Sequence, residues 1–241
     1  MVNKEKSIYN IAKDLKSKDL NVIDMLFDLV NLLNISDENK ESLYNKALSC
    51  QDKINMMRFS SQKSLWFKAQ FEATQNMDIP CLIGDDETEL LFYTESTIIF
   101  ARTALDVLTP IISQAVYKKR EDSFNSFSKR IRNDLDERVE PLKRKFYDYE
   151  NDETHAFLLL CGSEKGRALR DQLIHQTTIK LDYLEYSNSD KEMLFLLLNK
   201  GTLALPFDLF IPIFVYQVYG IIKDMARTTI EVLKSDDDLY E

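Results

Sequence analysis

Residues 86–117 read DETELLFYTESTIIFARTALDVLTPIISQAVY. Asp86 followed three residues later by Glu89 has the form of a capping box, which satisfies free N–H groups at a helix start. Behind it Leu91, Ile98, Ala101, Leu105, Leu108, Ile112 and Ala115 recur in steps of three and four residues, apart from Thr94. That spacing puts one apolar stripe along a helix of about nine turns, and such a stripe must pack against something. Pro110 lies inside the stripe and lacks the N–H that would bond the carbonyl of Asp106, so a kink is expected there.

Downstream, Phe124, Phe127, Ile131, Leu135, Val139, Leu142, Phe146 and Tyr149 repeat the pattern across Pro141, which predicts a second long helix. A short apolar helix, His155–Cys161, ends at Gly162. Ser163 is placed to cap the next helix. The period then changes. Ile179, Leu181, Tyr183 and Leu184, then Met193, Phe195 and Leu197, flank the turn-forming run Ser187–Asp190, which predicts a β-hairpin and no other sheet. Pro206 opens a last helix with Phe210, Phe214, Val218, Ile221, Met225 and Val232 on one face.

Upstream, Ile8, Ile11, Ala12 and Leu15, then Val22, Ile23, Leu26, Leu29, Val30 and Leu33, fit two helices broken near Ser17–Asp19. Two more are expected near 37–50 and 52–76, before a break at Met77–Asp85 that contains Pro80 and Gly84. The expected organisation is an N-terminal helical region over 1–80 and a helical bundle over 86–235. The fold class is mainly all-α: a four-helix up-and-down bundle with an inserted β-hairpin.

Composition agrees. Only 5 glycines and 5 prolines stand against 44% hydrophobic and 29% charged residues, which leaves little turn punctuation and much helix-compatible sequence. Cys50, Cys81 and Cys161 are far apart and odd in number, so neither a disulfide framework nor a cysteine metal site is supported. They read as packing residues in a reducing compartment. The first residues, Met-Val-Asn-Lys-Glu-Lys, do not form a secretory leader. The longest apolar run, Leu203–Ile222, carries Pro206, Asp208, Pro212 and Gln217, which suits a buried helix better than a membrane span. A cytoplasmic protein with no membrane partner is expected.

The net charge is −9, which speaks against non-specific nucleic-acid binding by the whole surface. Residues 118–180 nevertheless carry 14 Lys/Arg against 12 Asp/Glu, while the remainder carries 17 against 28. The basic clusters there, Lys118–Arg120, Lys129–Arg132 and Lys143–Lys145, read one by one as solvated helix faces.

In the least acidic segment, residues 165–180 read KGRALRDQLIHQTTIK. Arg170 supplies a fixed charge in a forked geometry that matches phosphate oxygens. His175 can move a proton in either direction near neutral pH. Asp171 lies four residues before His175 on the same helical face, where it can hydrogen-bond the imidazole and fix its tautomer. Arg170 and His175 project about 140° apart on an ideal helix, so one copy of the pair does not converge on one atom. Taken alone, such residues also serve as a helix-dipole partner and a surface ion-pair member.

Other chemistries fit worse. Gly162–Arg167 lacks the order of a phosphate-binding P-loop. Asp134, Asp136, Glu137 and Glu140 suggest a metal–carboxylate nuclease, but Arg138, Lys143 and Arg144 interleave at salt-bridge spacing. His155 has no ligand partner at a diagnostic spacing, and capping or packing accounts for it. Trp66, with Leu65 and Phe67, reads as core or interface.

The order of elements together with Arg170, Asp171 and His175 resembles HEPN-domain proteins. These are helical bundles marked by Arg, a polar residue, a short spacer and His on the third main helix. The resemblance covers about 150 residues, and only these three positions carry motif-level specificity. It implies a metal-independent endoribonuclease, of the kind found as toxins or antiphage effectors, active as a homodimer whose two motifs share one cleft. RNA is the implied substrate, an antitoxin or regulatory protein a further partner, and no cofactor or metal is expected. Arg170, His175 and Asp171 are the candidate catalytic residues, and Lys165 and Arg167 the candidate substrate-binding ones. Some relatives of this kind have lost the chemistry and serve as binding modules, and the resemblance implies either role.

Overall fold

A computed structural model describes residues 20–74, 85–151, 155–161, 179–185, 192–198 and 203–237. Seven α-helices and a three-stranded sheet occur among them. The helices are α1 (Ile23–Asn31), α2 (Asp37–Thr74), α3 (Asp85–Tyr117), α4 (Phe124–Asn133), α5 (Glu140–Glu150), α6 (Ala156–Cys161) and α7 (Phe207–Asp237), and the strands β1 (Lys180–Glu185), β2 (Glu192–Leu198) and β3 (Leu203–Pro206). The fold is therefore mainly α with an inserted antiparallel hairpin, as the periodicities predict. The expected helix before Ser17 and residues 77–84 of the break expected at Met77–Asp85 lie outside the described residues, while Asp85 already belongs to α3.

The chain divides by its contacts into two compact units. Among described residues, the first comprises 56–74, 85–99, 179–185, 192–198 and 203–216, and the second 20–55, 100–151, 155–161 and 217–237.

In the second unit the core is aromatic. Phe124 and Phe127 of α4, Phe146 of α5 and Phe157 of α6 are fully buried, with ring centroids 5.1–6.5 Å apart. Edge-to-face and tilted pairs of this kind add to area burial because the ring edge is positive and the face negative. Leu26, Leu29 and Val30 of α1 are buried as well. Val22 gives α1 no side-chain cap. Gln51 on α2 takes that role: its Oε1 accepts from Val22 N at 2.8 Å and its Nε2 donates to Leu20 O at 3.0 Å.

In the first unit the three strands pair antiparallel in the order β1–β2–β3, with Lys180 opposite Leu197, Glu185 opposite Glu192 and Phe195 opposite Pro206. Ile179, Leu181, Leu194, Phe195 and Leu196 are buried, as are Phe207, Phe210, Ile211, Phe214 and Val215 of α7.

Four expectations need correction. The two helices expected at 37–50 and 52–76 are one continuous helix of 38 residues. The long helix expected over 124–149 is broken: α4 stops at Asn133, a 3-10 turn occupies Glu137–Val139, and α5 starts with Pro141 in its first turn. Asp134 and Asp136 make the break by accepting backbone N–H groups of Asp136 and Arg138, each at 3.0 Å, an alternative to helical bonding that short acidic side chains offer. Leu135, expected on the apolar face, is 92% exposed in that break. The sheet has a third strand, because the apolar residues before Pro206 pair with β2 instead of extending the last helix.

By length and hydropathy alone, Glu87–Tyr117 and Phe207–Ser235 could each cross a membrane. In both, more than half of the apolar window is buried inside the protein, which is how a core helix of a soluble protein uses its apolarity.

Candidate functional site

Lys165, Arg167, Arg170, Asp171 and His175, and the cap expected from Ser163, lie outside the described residues. What is described is how the chain enters and leaves that segment.

The entry is α6. His155 stands immediately before it and its Nδ1 accepts from Phe157 N at 3.1 Å, while Gln217 Oε1 accepts from Ala156 N at 2.9 Å. Two of the N–H groups that a helix start leaves unbonded are thereby satisfied. An accepting Nδ1 places the ring proton on Nε2, so His155 caps as a neutral imidazole. The Tyr149 ring stacks on it at 5.0 Å, and the Tyr149 hydroxyl donates to Asp224 Oδ2 at 3.1 Å. Capping and packing thus account for His155, as the sequence suggests. His155→Ala should cost about 1 kcal/mol, the usual value of a lost cap, measured as a shift of the denaturant midpoint.

The far end of α6 is held by Arg102. This guanidinium, on α3, is 5% exposed. Its Nε and Nη2 meet Asp106 Oδ2 and Oδ1 at 3.1 and 3.0 Å, and its Nη1 donates to Asn125 Oδ1 at 2.8 Å and to Leu160 O at 3.0 Å. Leu160 O belongs to the last turn of α6, where carbonyls lack intrahelical partners and a cation is favoured. Asp106 Oδ1 also accepts from Phe124 N at 2.9 Å, capping α4, whose Ser123 makes no side-chain cap. One ion pair therefore ties the α4 start and the α6 end to α3.

A second ion pair, Arg132 Nε to Glu150 Oε1 at 2.6 Å, joins α4 to α5, and the Arg132 guanidinium lies 5.4 Å from the Phe157 ring centre. Neither atom of that pair is aligned as a hydrogen bond, so charge and the ring face hold it. Cys161 feels both arginines, but burial pushes its thiol up to about 12. A thiol held protonated is a poor nucleophile. Cys50 is likewise raised to about 12 by burial, and its Sγ approaches Ala104 O at 3.5 Å. Both act as packing residues, while Cys81 lies outside the described residues.

At the exit, Ile179 N donates to Glu95 Oε1 at 3.2 Å, and β1 follows. Nearby in the same unit Lys68, 7% exposed, meets Glu72 and Asp208 each at 2.8 Å, and the Tyr183 hydroxyl donates to Glu72 Oε1 at 3.2 Å. Burial pushes the Lys68 ammonium down, and the hydrogen bonds and charges of Asp208 and Glu72 more than offset it, so its pKa ends above the ordinary value. The stability this cluster contributes is fully present below the unfolded lysine pKa and is lost only as pH rises through the higher folded value. At neutral pH it is a fixed anchor of β1 and α7 on α2.

The basic clusters are partly engaged within the protein. Arg120 donates to Ser42 Oγ and to Asn39, Arg130 pairs with Glu121 at 2.7 Å, and Arg132 with Glu150. Arg138 pairs with Asp136, Arg144 with Glu140, and Lys143 donates to Asp134 O. The first two of these engage the carboxylates of Asp136 and Glu140, part of the run that suggested a metal site. No group of three or more His, Cys, Asp or Glu able to hold a metal ion occurs among the described residues.

Sequence reasoning did not single out Arg102 and Asp106. Their signal was present: opposite charges four residues apart, inside a stripe otherwise made of Ile98, Ala101, Leu105 and Leu108. No family model, curated protein or solved structure matches the chain.

Proposed function

We propose that the chain is a metal-independent endoribonuclease of the HEPN type, acting in the cytoplasm as a homodimer and serving as a toxin or antiphage effector. The observation that carries this reading is one of order. Arg170, Asp171 and His175 fall between a short helix and an antiparallel hairpin, after two long helical stretches and before a last long helix.

The chemistry needs three functions. A base takes the proton of a ribose 2′-hydroxyl, whose oxygen attacks the adjacent phosphorus. Positive charge steadies the phosphorane, and an acid protonates the leaving 5′-oxygen. His175 supplies proton transfer, Arg170 the charge, and Asp171 orients the imidazole. With two copies facing one groove, one His175 is base while its mate is acid. Lys165 and Arg167 contact flanking phosphates. The products are a 2′,3′-cyclic phosphate and a free 5′-hydroxyl.

Incubating the purified chain with RNA in excess EDTA tests this: strand breaks bearing cyclic phosphate ends are expected, and intact RNA at every protein concentration would sink it.

A second reading, a catalytically silent helical module that binds a protein partner, is favoured by one observation. Phe59, Trp66 and Phe92 are half or more exposed on one unit, a cost that soluble proteins seldom carry without use.

A further inference from the structure

Within the first unit, one face of α2 carries Met56, Phe59, Gln62, Lys63, Trp66 and Ala69. All but the half-buried Lys63 are exposed, Phe59 by 54% and Trp66 by 50%, and Phe92 of α3 is exposed by 62%. The rings belong to one cluster. Phe59 and Phe92 both meet Tyr93, at 6.5 and 5.2 Å, and Lys63 lies over Phe59 and Trp66, 5.8 and 5.2 Å from their centres. Lys63 is also the one charged residue among the six on α2. A face rich in aromatic rings and methionine and poor in charge has the composition of an interface core.

The face is also symmetric. Phe59 and Trp66 are equally far in sequence from the midpoint between Gln62 and Lys63, and so are Met56 and Ala69. At roughly 100° per residue, all six lie within about 70° of one line along the helix, and Phe59 and Trp66 within about 10° of it. An antiparallel copy of α2, related by a two-fold axis through that midpoint, therefore sets Phe59 against the partner's Trp66 twice over and Gln62 against its own copy. Lys63 meets its own copy at the rim, where the ammonium groups reach water.

Other occupants fit less well. Nucleic acid would stack on the rings, but its phosphates would meet Glu89, exposed one turn before Phe92. A different protein would need a face built to match this one, whereas a second copy already carries it. With roughly 150–250 Å² for a whole aromatic side chain, the three exposed rings present about 300 Å² per chain, so two chains hide about 600 Å² of ring surface. Stable interfaces bury about 1,200–2,000 Å² in all, and those below that range are weak and transient. We propose that α2 pairs antiparallel with α2 of a second copy through this face, as a reversible dimer centred between Gln62 and Lys63. The pairing is independent of whether the chain cleaves RNA, and its test reads mass, fluorescence and cross-linking rather than activity.

Sedimentation velocity of the full-length protein over about 1–500 µM, where interfaces of this size dissociate, should show a monomer passing into a dimer. Trp66 is the sole tryptophan, so its fluorescence reports on this face alone. Acrylamide quenching should fall about twofold over the same range, as a half-exposed ring becomes covered. Phe59→Asp, a change at an exposed position, should stay monomeric with quenching independent of concentration. Gln62→Cys removes no apolar side chain and sets a thiol against its own copy, within the roughly 4.4–6.8 Å between Cα atoms that a disulfide spans. Mild oxidation should therefore cross-link most of it as a dimer. Gln70→Cys, about 22 Å from its mate in this arrangement, should cross-link no more than the parent. A parent that stays monomeric throughout would overturn the proposal. So would a dimer that survives Phe59→Asp, which places the contact on another face, or equal cross-linking by both cysteine variants, which rejects the antiparallel register. Trp66 shielded only on adding RNA or a different protein would give the face to that partner instead.

Discussion

His175→Ala is expected to lower RNA cleavage in EDTA by about 10²–10⁴-fold, the range for removing a general acid or base, with the thermal unfolding midpoint unchanged. The comparison with Arg170 sharpens the result. Arg170→Lys keeps the charge but loses the planar fork, so it should fall between the parent and Arg170→Ala. On an ideal helix the two side chains point about 140° apart, so the proposed mechanism needs a second copy of the pair. With one His175 as base and its mate as acid, a mixed dimer of parent and His175→Ala lacks one proton-transfer group, so excess His175→Ala should suppress the activity of the parent. Full activity in His175→Ala would remove the enzyme reading outright. Loss in each variant without suppression of the parent on mixing would instead retain the residues and reject the shared cleft.

What was legible in the sequence followed from undiluted patterns. The stripe from Leu91 to Ala115 is apolar at almost every step, and α3 is there. The alternation around Ser187–Asp190 predicted a hairpin, and β1 pairs antiparallel with β2. The reading of His155 as a capping or packing residue rested on what it lacked, and the cap is there. Where the pattern was mixed, it misled. On α2 the packed face carries Ser60, Ser61, Ser64 and Lys68, all buried. Ser61 and Ser64 satisfy their hydroxyls on backbone carbonyls three residues earlier, at 2.7 and 2.9 Å, so polar residues could be buried without breaking the helix. The break expected after residue 50 lies upstream of these serines, at Gln51, whose side chain bonds Val22 N and Leu20 O while the helix runs on. The opposite error occurred at Leu135, where an apolar residue in step with its neighbours sits in a solvent-exposed break set by two aspartates. Strand β3 is too short to show alternation, and its apolar residues merged with those of α7. The candidate site was legible only as residue types in order, and Arg170, Asp171 and His175 lie outside the described residues.

Arg102→Met should be strongly destabilising, costing about 3 kcal/mol, because it removes a buried arginine and leaves a part-buried carboxylate without its partner. For a chain of this size that corresponds to roughly 10 °C in the unfolding midpoint. Three effects combine. Asp106 loses the guanidinium that faces both of its oxygens, Leu160 O at the end of α6 loses its donor, and Asn125 loses a partner at 2.8 Å. Arg144→Met is the matched control: its pair with Glu140 has a side chain 75% exposed, and removing it should fall within about 0.5 kcal/mol of the parent. The double variant Arg102→Met with Asp106→Leu separates charge from shape. Because it leaves no part-buried carboxylate uncompensated, it should be more stable than Arg102→Met alone, though Phe124 N then loses its cap. If Arg102→Met unfolds no earlier than Arg144→Met, the network is not what secures α6, and the chain's entry into the segment bearing Arg170 and His175 must be held by the aromatic core around Phe157.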